Sequence, residues 1–421
     1  AFGSVGVAQT SIGSGVMAWR VVGQIAAAWL LVPAETQHTS IAGYTPVSDV
    51  QRFLAIGTAT EALDAAVTAD PRNWTAALAE YERVLPGGMS LRHVAAPPSG
   101  GEQVFHVWAE YYGSNEYVHE FVLPALQGSG AFTSLDGKAR EELVMKGAVL
   151  QGVLMAAFSH LYAALTACQQ GNLDNATGAP HYVDGAWALY AGSETKGPIR
   201  LAEKRAPQFA TEAATFTEAG TSKVNVRLLA LFAELQQSAS RGDCSAARAQ
   251  TKAAVAQMQV PVIQGMLREA YEVDPKESAT HGGADGFIEV VEGWAFARAV
   301  LPAIAECSSE AARTIELNMN TIALGHQGPH VKDGYVAVKD AVESVYPCLG
   351  ISCVDINAMV VPFKTDQLLW EPCGDRALAD RAGQPAPGST PDPAESAAFS
   401  ARAQALLSWT LVLPFSSSMR S

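Results

Sequence analysis

Five stretches, residues 55–84, 140–167, 224–237, 245–273 and 287–305, carry apolar side chains at intervals of three and four. That spacing lines them along one face of an α-helix, whereas a half-buried strand would alternate every second residue. Ala, Leu, Glu and Gln dominate the same stretches, and all four lose little side-chain freedom in a helix. Alternating runs are scarce elsewhere, so the expected fold class is all-α. Connections carry Gly, Pro, Asn and Asp, as at 86–88, 171–180 and 281–285. Pro124, Pro261 and Pro302 adjoin apolar helical runs and are read as boundaries or kinks.

The chain has 421 residues, 48 % of them hydrophobic, enough to bury a large core in one big domain or two ordinary ones. Short blocks recur within it. Leu150-Gln-Gly-Val-Leu154 resembles Ile263-Gln-Gly-Met-Leu267, and Val122-Leu-Pro-Ala-Leu126 resembles Val300-Leu-Pro-Ala-Ile304. Asp184-Gly-Ala-Trp-Ala188 resembles Glu292-Gly-Trp-Ala295. The offsets disagree, which excludes an array of short identical repeats. The expectation is two related helical bundles packed together and disulfide-braced, spanning residues 35–220 and 221–373.

The two ends read differently. Met17 to Arg20 is a short positive region, Val21 to Val32 an apolar one, and Val32-Pro33-Ala34 a small-residue cleavage site. Residues 1–34 are therefore read as an upstream extension plus an export signal. Residues 374–421 form a Pro/Gly-rich linker and an apolar tail. Within the tail, 405–415 has the roughly right composition for a C-terminal lipid anchor, though the polar end is atypical. A terminal helix is the alternative.

Charged residues are only 17 % of the chain and the formal net charge is −14. Nucleic acid needs clustered Lys and Arg, so it is set aside as a partner. An acidic surface attracts cations instead. There are six cysteines: Cys168, Cys244, Cys307, Cys348, Cys353 and Cys373. None is spaced Cys-x-x-Cys, and three disulfides in an exported protein are the simplest account. Cys348 with Cys353 and Cys244 with Cys307 are plausible bridges, with other connectivities open. Asn73-Trp-Thr and Asn175-Ala-Thr are glycosylation sequons, consistent with secretion.

Residues 105–126 hold the densest set of potential ligands. Read as one helix, with about 100° per residue, the segment places His106, Glu110, Glu116, Tyr117 and Glu120 within an arc of roughly 120°. Apolar side chains take the other directions, so these acids are expected to be buried and therefore paired or metal-bound. Glu, His and Tyr together suit iron. Glu116-Tyr-Val-His119 also has the Glu-x-x-His spacing of di-iron bundles, but no second copy follows. Asp184 is either a helix N-cap or a ligand. Glu292, one turn after Glu289, needs a cation or an Arg such as Arg298, and Glu269 beside Arg268 has the same ambiguity. Phosphate-binding, dinucleotide, zincin and nucleophile-elbow motifs are missing, and nothing organises a nucleophile with a base.

Several blocks, in order, are similar to one known family. They are Tyr111-Tyr-Gly-Ser114, Trp187-Ala-Leu-Tyr-Ala-Gly-Ser193, Leu201-Ala-Glu-Lys-Arg205 and Val224-Asn-Val-Arg-Leu-Leu229. Gln264-Gly-Met-Leu-Arg268, Glu292 to Pro302 and Leu349-Gly-Ile-Ser-Cys353 continue the series. Over roughly residues 45–360 the chain resembles the low-iron-inducible periplasmic proteins of green algae, the iron-assimilation (Fea) family. The resemblance implies a secreted, non-enzymatic protein of the periplasmic space or cell surface that helps cells acquire iron. Members are also associated with growth at high carbon dioxide.

The site is inferred from the residues themselves. Glu110, Glu116, Glu120, Asp184, Glu269 and Glu292 would supply carboxylates to Fe2+ or Fe3+, with His106 or His119 and Tyr117 completing the shells. The iron would pass to plasma-membrane uptake machinery. The alternatives are a helical-bundle metalloenzyme, an iron oxidase or imelysin-like protein, and a cell-surface interaction protein in which the acids form salt bridges.

Overall fold

Helix α1 (Gln51–Thr68) turns back into α2 (Trp74–Glu82), so the expected helix over 55–84 is a hairpin. Pro71 stops the first helix because it lacks an N–H. Asn73 starts the second by accepting the Ala76 amide at 3.0 Å. A computed structural model describes residues 39–96, 103–274, 286–320, 331–360 and 373. The expected export signal, the 281–285 connection, the linker and the apolar tail lie outside those residues.

The segment 105–126 is also two helices, α3 (Gln103–Tyr112) and α4 (Tyr117–Gln127). Then α5 (Gly137–Lys146), a π-helical stretch (Gly147–Val153) and α6 (Leu154–Gln169) run on as one rod. By length and composition that rod could cross a membrane, but 94 % of its most apolar window is buried, which makes it a core helix. Helices α7 (Ala179–Ala191) and α8 (Pro198–Arg205) follow. A small antiparallel hairpin, β1 (Glu212–Thr217) with β2 (Gly220–Ser222), leads into α9 (Lys223–Arg241). The long α10 (Cys244–Val273) then packs against α11 (Gly286–Cys307), α12 (Ser309–Met319) and α13 (Tyr335–Glu343) follow, and two one-turn helices, α14 (Tyr346–Leu349) and α15 (Cys353–Ile356), close the series.

The described residues form one compact unit with a contiguous apolar core, to which helices on both sides of residue 220 contribute. The paired blocks of the sequence take comparable places. The Gln-Gly pair of the π-helical stretch lies on α4, which carries the first Leu-Pro-Ala, and the pair in α10 lies on α11, which carries the second. Close approach explains two glycines. A Cβ at Gly147 would stand 2.7 Å from Val122 and 2.9 Å from Phe121, and one at Gly265 would stand 2.6 Å from the Phe296 ring.

Three expectations are corrected. Pro124, Pro261 and Pro302 lie inside α4, α10 and α11 and are not boundaries. Each belongs to a helix with a buried apolar face, and that burial outweighs a cost of about 3 kcal/mol per internal proline. The disulfides join Cys168 to Cys244, Cys307 to Cys348 and Cys353 to Cys373. Neither Cys348–Cys353 nor Cys244–Cys307 forms, because partner choice follows which helix ends meet in space. Cys168 and Cys244 stand at the end of α6 and the start of α10, with Cα atoms 5.7 Å apart.

Candidate functional site

The 105–126 arc does not form. Gly113 takes φ 71° after α3, and the chain re-enters helix through Ser114, whose Oγ accepts the Glu116 amide at 3.0 Å. The break rotates the two halves independently. His106 and Glu110 face solvent on α3, and Glu116 and Glu120 are exposed at the start of α4. Glu120 accepts a 2.8 Å hydrogen bond from Ser114 Oγ. Tyr117 turns the other way into the core, stacked on Tyr112 with ring centroids 5.5 Å apart. Its hydroxyl donates to the Gln151 carbonyl at 3.3 Å. Burial pushes its phenol well above the ordinary range.

Asp184 lies within α7, completely buried, and is neither an N-cap nor an open ligand. Its carboxylate accepts from the Tyr44 hydroxyl, the Val47 and Ser48 amides (both 2.8 Å), Ser48 Oγ (2.6 Å) and Gln236 Nε2 (2.9 Å). Five donors occupy its lone pairs. Its work is to pin residues 44–48 and α9 onto α7.

Glu269 and Glu292 do converge with a third acid, Glu142, from three separate helices, and the protein supplies the counter-charges itself. Arg205 Nη2 lies 3.1 Å from Glu269 Oε1, both side chains being essentially inaccessible. Lys146 bridges Glu142 at 2.6 Å and Glu292 at 3.1 Å. Burial pushes Glu269 and Glu292 above the usual carboxylate range, and Arg205 and Lys146 respectively counter it. Burial also raises Glu142, but Lys146 and Lys138 overcome it and hold that carboxyl down at about 2.

The expected partners were wrong for geometric reasons. Six residues separate Glu292 from Arg298, roughly 240° around a helix, so they face apart. Arg298 instead lies 3.9 Å over the Tyr112 ring and donates to Gln151 Oε1 at 2.8 Å. Neighbours in sequence also diverge on a helix, so Arg268 pairs with Glu272 one turn on, at 2.6 Å, and not with Glu269.

One other cluster combines the predicted residue types. Tyr81 at the end of α2, Arg92 in the following turn, and Glu116 and His119 at the start of α4 lie within electrostatic reach of one another. Tyr81 is fully buried, with its ring parallel to His119 at a centroid distance of 6.0 Å. Tyr81 Oη, Arg92 Nε and His119 Nδ1 are buried with no hydrogen-bond partner among the described residues. Burial and Arg92 hold the His119 imidazole below its ordinary value, leaving it neutral and able to ligate near pH 7. Burial raises the Tyr81 phenol, with Arg92 opposing and Glu116 and Glu82 reinforcing that shift. Among the described residues no three His, Cys, Asp or Glu side chains already close around a point as a metal site would.

The family model described as Fea1, low iron-inducible periplasmic protein, matches residues 16–380. The chain belongs to this family. Comparison with curated proteins and with solved structures found no match. A low iron-inducible periplasmic protein works where disulfides persist, and the three bridges fit that setting. Family membership ties the chain to low-iron growth; the ligating residues must come from the geometry above. Sequence reasoning found Glu116 and His119 but missed Tyr81 and Arg92. Tyr81 lies on α2 and Arg92 in the turn after it, and nothing in their local spacing signals that α2 packs on α4.

Proposed function

We propose that the protein binds iron outside the plasma membrane and hands it to uptake machinery, using Tyr81, Glu116 and His119 as protein ligands. The observation that carries this reading is the pair of buried, unpartnered polar atoms Tyr81 Oη and His119 Nδ1, brought together from α2 and α4. Each such atom costs about 1–3 kcal/mol while unsatisfied, so a cation that accepts the lone pairs of the phenol oxygen and the imidazole nitrogen relieves a standing penalty. Glu116 adds a carboxylate with no polar partner of its own among the described residues. Phenolate, imidazole and carboxylate together suit ferric iron, and Arg92 beside them offers a place for an anionic co-ligand.

A small, partly open set of protein ligands supports release as well as capture, which a carrier needs. Glu110, Glu120 and His106 on the exterior would at most concentrate cations nearby. Asp184, Glu269, Glu292 and Tyr117 serve the fold.

Iron binding is tested by titrating the purified full chain and Glu116→Gln/His119→Gln with ferric nitrilotriacetate and measuring bound iron after gel filtration. The reading expects roughly one ion per wild-type chain and a loss of at least about tenfold in affinity in the variant. Equal loading of both proteins, with helix content unchanged, would reject the assignment.

A further inference from the structure

The second feature is a cleft of about 530 Å³ between α5, the π-helical stretch and α8. In a chain of net charge −14, it gathers five cations, Lys138, Lys146, Lys196, Arg200 and Lys204, against three carboxylates, Asp64, Glu141 and Glu142. Three of the cations are spoken for. Lys138 pairs with Glu141 at 2.6 Å and Glu142 at 2.7 Å, Lys146 with Glu142 and Glu292, and Lys196 with Asp64 at 3.1 Å. Arg200 and Lys204, one turn apart on α8, have no carboxylate within ion-pair distance among the described residues. Partial burial, and then the neighbouring Arg205, push the Lys204 ammonium below its ordinary range.

Two further features set the sign and kind of the ligand. Gly197, the N-cap of α8, lines the cleft, so the positive end of that helix opens on it. A bare metal cation would meet uncompensated positive charge and is disfavoured. Part of the wall is apolar, with Leu150 and Leu201 among its members. An inorganic oxyanion has no surface to set against such a wall. At about 30 Å³ for each water displaced, the volume also far exceeds what one such ion fills.

We propose that this cleft binds a small polycarboxylate, its carboxylates on Arg200 and Lys204 and its carbon skeleton against Leu150 and Leu201. The guanidinium offers a two-pronged contact to one carboxylate and the ammonium a point charge to the next. The site is independent of the iron reading, because it needs no metal and uses none of the residues assigned to iron.

Isothermal titration of the metal-free full chain with citrate, inorganic phosphate and propionate, at low ionic strength, tests it. Citrate is expected to bind, more tightly than either other anion, and to weaken as salt is added. Arg200→Gln/Lys204→Gln is expected to lose at least about tenfold in citrate affinity, while Arg200→Lys/Lys204→Arg keeps it within a few-fold. Thermal unfolding of each variant shows whether the fold is intact. No citrate binding by wild type, or unchanged binding by the Gln double variant, overturns the proposal. So does phosphate binding as tightly as citrate, since the apolar wall would then have no role.

Discussion

Replacing Arg205 by Met should be strongly destabilising, although it removes a charge and adds none. Arg205 and Glu269 have side-chain exposures of 0 % and 2 % and meet at 3.1 Å. Met preserves much of the volume but leaves the Glu269 carboxylate in a dry interior that already pushes its pKa up. Breaking one partner out of a buried pair costs roughly 3–5 kcal/mol, because the remaining charge is uncompensated. Removing both charges with Arg205→Met/Glu269→Leu should restore most of that loss, since an apolar pair of similar size avoids the desolvation of two ions.

Urea unfolding followed by circular dichroism, with disulfides intact, gives the four midpoints of this cycle. A loss below about 1 kcal/mol for the single variant would refute the reasoning, as that is the scale of an ordinary exposed contact. The same measurement with EDTA tests who neutralises the acids. Any effect of chelator on the wild-type midpoint should be the same in Glu269→Gln, because Arg205 and Lys146, not a metal, hold these carboxylates. A chelator-dependent shift that vanishes in Glu269→Gln would put a metal in the network.

Three other outcomes follow from the packing and charges. Glu142 titrates near 2 in the fold against a reference value of 4.5, so its stabilisation is complete above 4.5 and is lost as pH falls toward 2. In Glu142→Gln, acid titration of unfolding stability should lose a contribution on the order of 2 kcal/mol across that window, seen as a flatter pH profile. Gly265→Ala would put a Cβ 2.6 Å from the Phe296 ring and should cost about 1–3 kcal/mol by denaturant melting. Cys168→Ser/Cys244→Ser opens a loop of 76 residues and should cost roughly 4 kcal/mol on the chain-entropy scale, lowering the thermal midpoint.

The all-α class was legible because periodicity over many turns is a local property, and helices near 140–167, 224–237, 245–273 and 287–305 are present. The break inside 105–126 was legible too. Gly113-Ser114-Asn115 carries the left-handed residue that ends one helix and the hydroxyl that accepts the Glu116 amide ahead of the next, but the apolar pattern on either side hid them. Partner choice was not legible. That Glu269 meets Arg205, that Asp184 collects donors from 44–48 and α9, and that Tyr81 faces His119 all depend on packing between distant segments. Internal prolines misled for a similar reason, since tertiary burial overrode a local penalty.

Visible absorption and resonance Raman spectra of the ferric-loaded full chain test the central assignment most directly, because a tyrosine oxygen bound to Fe3+ gives a phenolate-to-iron charge-transfer band. Wild type should show that band, with about one proton released per phenolate formed. Tyr81→Phe should lose it without unfolding. An identical band in Tyr81→Phe, or iron bound by wild type with no such band, would contradict the account.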